Sequence, residues 1–78
     1  MEPAPLHIEV AYAEPDRQLV LAVSLPADAT LGEAVTAALP TLQAAFPAVD
    51  FTLLAVGVWG EPANRERLVQ AGDRVELY

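Results

Sequence analysis

The sequence contains neither cysteine nor lysine, and it has a single histidine and a single serine among its 78 residues. Without cysteine, the chain cannot form a disulfide, a catalytic thiolate or a cysteine-ligated zinc site. Without lysine or a glycine-rich motif, it has neither a P-loop nor a dinucleotide-binding turn. These absences exclude several common classes of small enzyme, and we expect no cofactor.

Basic residues of any kind are scarce. The chain has 4 of them, all arginine, against 11 acidic residues, which gives a net charge of −7. A negative field of this size repels the phosphate backbone, so nucleic-acid binding is disfavoured. The same field keeps the chain soluble and attracts basic partners.

A long apolar run is also missing. The longest uncharged stretch, 34–49, contains Pro40 and Pro47 and is shorter than the ~20 apolar residues of a membrane span. The first residues lack the basic start and apolar run of a secretory signal. We therefore expect a cytoplasmic protein without membrane insertion. Since 54% of the residues are hydrophobic, the sequence predicts one folded domain over 1–78.

One amphipathic stretch dominates the middle of the chain. Thr30 followed by Glu33 fits a capping box, which predicts that a helix begins there. Apolar residues then recur at helical spacing at Leu31, Ala34, Val35, Ala38, Leu42, Ala45 and Phe46. Because Pro40 lacks an N–H and its ring clashes with the preceding turn, we expect the helix to run to about Leu39, then break or kink, with a short turn through Phe46.

The flanking segments read as strands. Residues 6–12 and 19–25 alternate between apolar and polar or small side chains, which predicts a hairpin around the turn at Glu14, Pro15 and Asp16. The apolar run 51–59 predicts a third, interior strand, and Gly60, Glu61 and Pro62 predict a turn after it. Residues 64–70 suit a brief strand or a single helical turn, Gly72 suits a left-handed turn position, and 74–78 form the last strand.

This order of elements predicts an α+β fold. One helix packed on one face of a mixed four- to five-stranded sheet is the economical way to bury a single apolar stripe. The arrangement matches the ubiquitin-like β-grasp, in which the first and last strands lie parallel at the centre of the sheet.

Several segments carry a family resemblance. They are IEVAYA at 8–13, TLGEAV at 30–35, FPAVD at 46–50, VGV at 56–58 and GDRVELY at 72–78. In their order and spacing they resemble the RnfH family of small bacterial β-grasp proteins, over nearly the whole chain. The resemblance implies an adaptor or accessory protein associated with Rnf electron-transport genes or with a RatA-type toxin-like protein. Two features depart from the family: 34–50 is longer than usual and contains Pro40, and relatives usually continue past 78 into a basic tail.

Residues that could support catalysis are few. Glu9 and Glu76 are expected to point outward on neighbouring strands, where paired carboxylates could act as acid and base. Arg74 shares that face, so a solvated ion-pair cluster of small energetic value is the favoured interpretation. His7 is expected to be an exposed strand residue. A metal site formed by His7, Glu9 and Glu76 has no supporting ligand spacing, and we expect neither catalysis nor a bound metal.

The β-grasp fold also raises a carrier interpretation. Sulfur carriers and ubiquitin-type modifiers react through a flexible C-terminal Gly-Gly, whereas this sequence ends in Glu76, Leu77 and Tyr78 within the predicted last strand. A carrier or modifier precursor whose reactive tail is missing here therefore remains the alternative to an interaction domain.

Strand parity predicts where a partner would bind. With Val10, Val75 and Leu77 turned toward the helix, their neighbours must turn outward. The candidate protein-binding face comprises His7, Glu9, Trp59, Arg74, Glu76 and Tyr78. Aromatic and arginine side chains carry much of the binding energy at protein interfaces, although Trp59 could also merely cover the edge of the core. We expect a protein partner of unknown identity and a chain that is monomeric or weakly dimeric.

Overall fold

The computed structural model describes residues 4–78 of the chain. The strands are β1 Leu6–Glu14, β2 Arg17–Leu25, β3 Val56–Val58, β4 Glu61–Ala63 and β5 Arg74–Leu77. The helix α1 spans Leu31–Ala45, and a short 3-10 helix spans Phe51–Leu53. No helix among the described residues has the length and apolar character needed to cross a bilayer.

The five strands form one mixed sheet in the order β2-β1-β5-β3-β4. The central pair, β1 and β5, is parallel, with Val10 opposite Val75, and the other pairs are antiparallel. Helix α1 packs on one face. This topology confirms the predicted β-grasp arrangement, with the first and last strands side by side at the centre.

Helix α1 begins where the sequence indicates. The Thr30 hydroxyl accepts a hydrogen bond from the Glu33 backbone N–H at 3.2 Å, and the Glu33 carboxylate accepts one from the Thr30 N–H at 3.1 Å. The N–H groups of Leu31 and Gly32 donate to the carbonyls of Arg67 and Arg65, at 2.9 Å each. The four N–H groups at the start of a helix have no partner within it, and here each of the four is bonded.

The predicted end of the helix near Leu39 is wrong. Helix α1 continues through Pro40 to Ala45, and Phe46 caps it by donating its N–H to the Leu42 carbonyl at 2.8 Å. Pro40 and Thr36, whose carbonyl has no N–H donor at Pro40, are both exposed residues on the solvent side of the helix. Leu42 is fully buried and Phe46 nearly so, and their burial holds the second half of the helix on the sheet.

The predicted strand over 51–59 is also wrong in most of its length. Only Val56–Val58 forms a strand, and Leu53 is 81% exposed. The Asp50 carboxylate accepts a hydrogen bond from the Thr52 N–H at 3.0 Å, which stabilises a 3-10 turn instead. The Arg65 guanidinium donates to the carbonyls of Phe51 and Leu54. These carbonyls therefore bond to a side chain and not to a neighbouring strand.

The connection after β3 differs from the prediction in two respects. The turn is made by Trp59 and Gly60, and Glu61 and Pro62 belong to β4. Residues 64–70 form neither a regular strand nor a helical turn, apart from an isolated bridge between Leu68 and Thr30. This segment lies against the start of α1 and supplies its backbone partners.

A single core fills the space between α1 and the inner face of the sheet. It contains Ile8, Val10, Leu25, Ala29, Leu31, Ala34, Val35, Ala38, Leu42, Phe46, Phe51, Val56, Val58, Val69, Val75 and Leu77. At one end, the Tyr12 ring packs edge-on against Phe46 and Phe51, with ring centroids 4.8 and 5.0 Å away. Along β1 and β5 the inward residues alternate with exposed or half-buried ones, so the opposite, outer face of the sheet is open to solvent.

Candidate functional site

The centre of the outer face is an ion pair between the two central strands. Glu9 on β1 lies opposite Arg74 on β5, and the Arg74 guanidinium donates to the Glu9 carboxylate at 3.0 Å. Both side chains are more than one-third exposed, at 43% and 35%. An exposed pair of this kind contributes little to stability, about 0–1 kcal/mol, so its main effect is to fix the position of Arg74.

Trp59 stacks on this arginine from the β3–β4 turn. The Arg74 guanidinium carbon lies 5.0 Å from the centre of the indole ring, within the range of a cation–π contact. The indole N–H donates to the Gly72 carbonyl at 3.3 Å. Two contacts therefore hold the ring in place, yet Trp59 remains 59% exposed. Glu9, Arg74 and Trp59 form a single connected group.

The backbone of Trp59 is strained. Its φ is +48°, and that of Gly60 is +83°, so both residues of this two-residue hairpin turn are left-handed. Such turns favour Asn-Gly or Asp-Gly, because a left-handed conformation costs an ordinary residue roughly 1–2 kcal/mol. Strained residues of this kind persist where the surroundings hold them, and they concentrate at functional sites. The turn thus presents a bulky aromatic ring where a small polar residue would fit better.

A second group lies beside the first. The Glu76 carboxylate accepts hydrogen bonds from the Gly60 backbone N–H at 2.6 Å and from the Tyr78 hydroxyl at 2.9 Å. The hydrogen bond to Glu76 raises the pKa of the Tyr78 phenol above its ordinary value. Tyr78 is 56% exposed, and its ring lies over Gly57: a β-carbon built at Gly57 would come within 2.9 Å of the ring.

Tyr78 is also fixed through its backbone. Its N–H donates to the Ala55 carbonyl at 3.0 Å, and its carbonyl accepts a hydrogen bond from the Ala55 N–H at 3.2 Å. These bonds extend the pairing of β5 by one residue. The side chain is therefore held on the outer face by its main chain and by its hydroxyl.

The structure thus joins five of the six predicted face residues into two neighbouring groups, Glu9 with Arg74 and Trp59, and Glu76 with Tyr78. His7 stands apart from both, because its ring Nδ1 is 3.1 Å from the Ser24 hydroxyl near the other end of β1. It shares the outer face, but no side-chain hydrogen bond links it to either group.

The two outward carboxylates have different partners. Glu9 faces Arg74 in the sheet register, whereas Glu76 faces Ala11 on one side and Gly57 on the other. Each carboxylate is engaged by a different donor. Within 4–78, no cluster of three or more His, Asp or Glu side chains is arranged to hold a metal ion.

A shallow groove of about 390 Å³ lies next to Tyr78. Its lining includes the small outward side chains of Ala11 and Ala13, the exposed Val20 of β2, and Leu54. Arg74 and Glu76 supply its polar walls. The groove is large enough to receive an apolar side chain of a partner beside two charged groups.

Sequence reasoning missed the groove. The alternation along β1 places Ala11 on the outer face, and a small residue there is a signal that the surface is hollow. The contact between Gly57 and the Tyr78 ring left no comparable signal, because β3 and β5 are paired through the tertiary fold.

Comparison with known proteins identifies similar chains. A family model described as "RnfH family Ubiquitin" matches residues 6–78. The UPF0125 protein of Chromobacterium violaceum is 46% identical over 73 residues, covering 94% of this chain and 71% of that protein. Protein RnfH of Halorhodospira halophila is 42% identical over 73 residues, covering 94% and 73%.

Solved structures show the same fold at lower identity. Small archaeal modifier protein 1 of H. volcanii superposes with a TM-score of 0.69 at 24% identity, covering 92% of this chain and 94% of that one. A ubiquitin of Caldiarchaeum subterraneum gives a TM-score of 0.63 at 17% identity, covering 94% and 90%. These likenesses show the β-grasp architecture.

Proposed function

The chain belongs to the RnfH family of ubiquitin-like proteins, and we propose that it is a non-catalytic interaction domain that binds a protein partner through the outer face of its sheet. The observation that supports the proposal most is the conformation of Trp59. A large aromatic ring occupies a left-handed turn position, is held by two contacts, and remains 59% exposed.

The neighbouring residues support the same use of the surface. Tryptophan, tyrosine and arginine are the residue types enriched among binding hot spots, and all three occur together here. Because Arg74 and Tyr78 are already held by Glu9 and Glu76, less conformational entropy would be lost when a partner binds. The groove beside Tyr78 provides a recess for an apolar anchor.

The polar groups of the outer face are largely engaged with one another. Its carboxylates are separated by register and engaged by different donors, and its histidine lies apart from both groups. We therefore favour binding over acid–base catalysis. A carrier or modifier precursor is the alternative, but no contact among the described residues favours it over an interaction domain.

Comparative affinity capture tests the proposal. Wild-type protein and the variants Trp59→Ala, Arg74→Ala and Gln43→Ala would be immobilised and exposed to extract of cells that express the chain. Gln43 is an exposed position on α1 and serves as the control. We expect a protein that the wild type and Gln43→Ala retain and that both face variants lose.

The purified partner would then be titrated against each variant. Truncating Trp59 or Arg74 should weaken binding by ~1–2 kcal/mol or more if they are hot spots. A partner that binds both face variants as tightly as the wild type would refute the proposed surface.

A further inference from the structure

The two edges of the sheet are built differently. The β4 edge is three residues long and carries Glu61 and Pro62, a charge and a residue that cannot donate a backbone hydrogen bond. Short length, charge and proline are the usual ways in which proteins prevent another strand from pairing with an edge. The β4 edge is therefore protected.

The β2 edge has none of these protections. It is nine residues long, contains no proline, and its only charged residue is Arg17 at its first position. Its register with β1 runs without a bulge from Glu14 opposite Arg17 to Leu6 opposite Leu25. The Arg17 guanidinium is directed away, because it donates to the Ala45 carbonyl and lies 4.2 Å from the centre of the Phe46 ring.

The hydrogen bonds of β1 show which backbone groups of β2 point outward. The Glu9 N–H donates to the Asp73 carbonyl, and the His7 carbonyl accepts from the Gly72 N–H, so odd-numbered residues of β1 bond toward β5. The even-numbered residues of β1 must then bond toward β2, where their partners are odd-numbered. Four residues of β2 are left with both backbone groups facing away from the sheet. They are Gln18, Val20, Ala22 and Ser24.

Nothing within residues 4–78 covers this row. No hydrogen bond from another described segment reaches the backbone of these four residues. All four side chains are exposed, with Val20 at 43%. The row is a regular template of alternating donors and acceptors along most of a strand.

We propose that the β2 edge binds an extended segment of a partner protein as a sixth strand, and that this segment is basic at its ends. The charges around the edge carry the second part of the proposal. Asp16 lies in the turn before β2 and Asp28 in the turn after it, both are exposed, and the chain as a whole has a net charge of −7. Main-chain hydrogen bonds would give the affinity, and the acidic ends would select a basic segment.

The same charges argue against a second copy of this chain as the occupant. Two copies paired through β2 would bring together two bodies that each carry a net charge of −7. Each β2 strand contains no lysine, and its single arginine, Arg17, is already bonded to the Ala45 carbonyl, so neither strand offsets that repulsion. A basic strand from a different protein would not meet this charge repulsion.

Synthetic peptides can test this proposal without the partner of the outer face. The first is a strand of alternating valine and threonine with lysines at both ends. The second replaces the lysines by glutamates, and the third keeps the lysines but places proline at alternate strand positions. Amide hydrogen exchange of isotope-labelled protein, followed by NMR, is the readout.

In the free protein, we expect the amides of Gln18, Val20, Ala22 and Ser24 to exchange faster than those of their odd-numbered neighbours. The lysine-flanked peptide should slow exchange at all four, and it should bind at least about tenfold more tightly than the glutamate-flanked one. The proline-containing peptide should slow none of them, because it cannot complete the ladder.

Two variants sharpen the result. Ala22→Pro removes an outward N–H without removing a bond to β1, so the protein should fold and should bind the lysine-flanked peptide much more weakly. Val20→Lys keeps the backbone intact and should weaken the same peptide several-fold by charge repulsion. Gln43→Ala, at an exposed position of α1, is the control and should leave peptide binding unchanged.

Three results would overturn the inference. The first is unchanged exchange at the four amides with saturating lysine-flanked peptide. The second is equal binding of the lysine- and glutamate-flanked peptides. The third is slowed exchange at these amides when protein concentration alone is raised, which would assign the edge to a second copy of the chain.

Discussion

The two faces of the sheet come from the same strands yet have opposite properties. On β1 and β5, Val10 and Val75 point toward α1 and are both 0% exposed. Glu9 and Arg74 alternate with them on the outer side and form an ion pair open to water. The inner face is closed, apolar and continuous with the core, whereas the outer face is polar, aromatic and hollowed by a groove.

This difference separates stability from binding. Removing buried methyl groups from the inner face costs the lost transfer energy and leaves a cavity. Removing exposed side chains from the outer face removes weak contacts, some of which sit on a strained turn. Substitutions on the inner side should therefore lower stability, whereas those on the outer side should lower binding with little change in stability.

The largest effect should follow from Leu42→Ala. Leu42 lies in the second half of α1, after Pro40, and is fully buried. Its truncation should cost about 3 kcal/mol of unfolding free energy. Denaturant unfolding measures it, with exposed Gln43→Ala as the control. A change below about 1 kcal/mol would mean that the second half of α1 is not packed on the sheet.

Pro40→Ala should have the opposite sign. Alanine restores a backbone donor in the middle of α1 and removes the ring clash, a gain of up to about 3 kcal/mol, offset by about 1 kcal/mol from a freer unfolded chain. We expect the midpoint of denaturation to rise by the equivalent of about 2 kcal/mol. Lower stability would show that the proline is accommodated at no cost.

Thr30→Ala tests the start of the same helix. Losing the hydroxyl that accepts from the Glu33 N–H should cost about 1 kcal/mol. Thermal or denaturant unfolding would detect it, and Thr30→Ser should recover most of the loss because it keeps the acceptor. Equal destabilisation by both variants would contradict a capping role.

Trp59→Asn should change stability by less than about 1 kcal/mol, because relief of the left-handed strain offsets the lost contact with Arg74. The same variant should lose partner affinity. This combination is the signature expected of a residue kept for binding. A large loss of stability would show that Trp59 mainly stabilises the fold, not binding.

The smallest effect concerns Tyr78 and has no resolvable consequence for stability. Its raised pKa means that the folded state favours the protonated phenol, so the hydrogen bond to Glu76 persists at neutral pH and is lost as pH rises through the folded pKa. Ultraviolet titration of tyrosinate should show Glu76→Gln lowering that pKa toward its ordinary value. An unchanged titration would show that Glu76 does not raise the pKa of Tyr78.

The sequence predicted most of the elements whose signals are local. The capping box at Thr30, the alternation of β1 and β2 and the left-handed Gly72 were all confirmed. The predicted helix end at Pro40 was wrong. The cost of a proline depends on whether it lies on the exposed side of the helix, and the packing of the helix on the sheet decides which side is exposed.

Other features required the tertiary structure. The strand predicted over 51–59 fails because Arg65, distant in sequence, bonds the carbonyls of Phe51 and Leu54. Trp59 was expected to be exposed because of strand parity, but the structure places it in the β3–β4 turn. Its exposure was therefore anticipated from the wrong element, and its contact with Arg74 depends on the pairing of β3 with β5.

The most direct test of the two-face account is a titration of isotope-labelled protein with the isolated partner, followed by amide chemical shifts. The account predicts that the shifts concentrate on the outer face, at Trp59, Arg74, Glu76 and Tyr78. Shifts confined to the exposed side of α1, around Ala37 and Gln43, would contradict it.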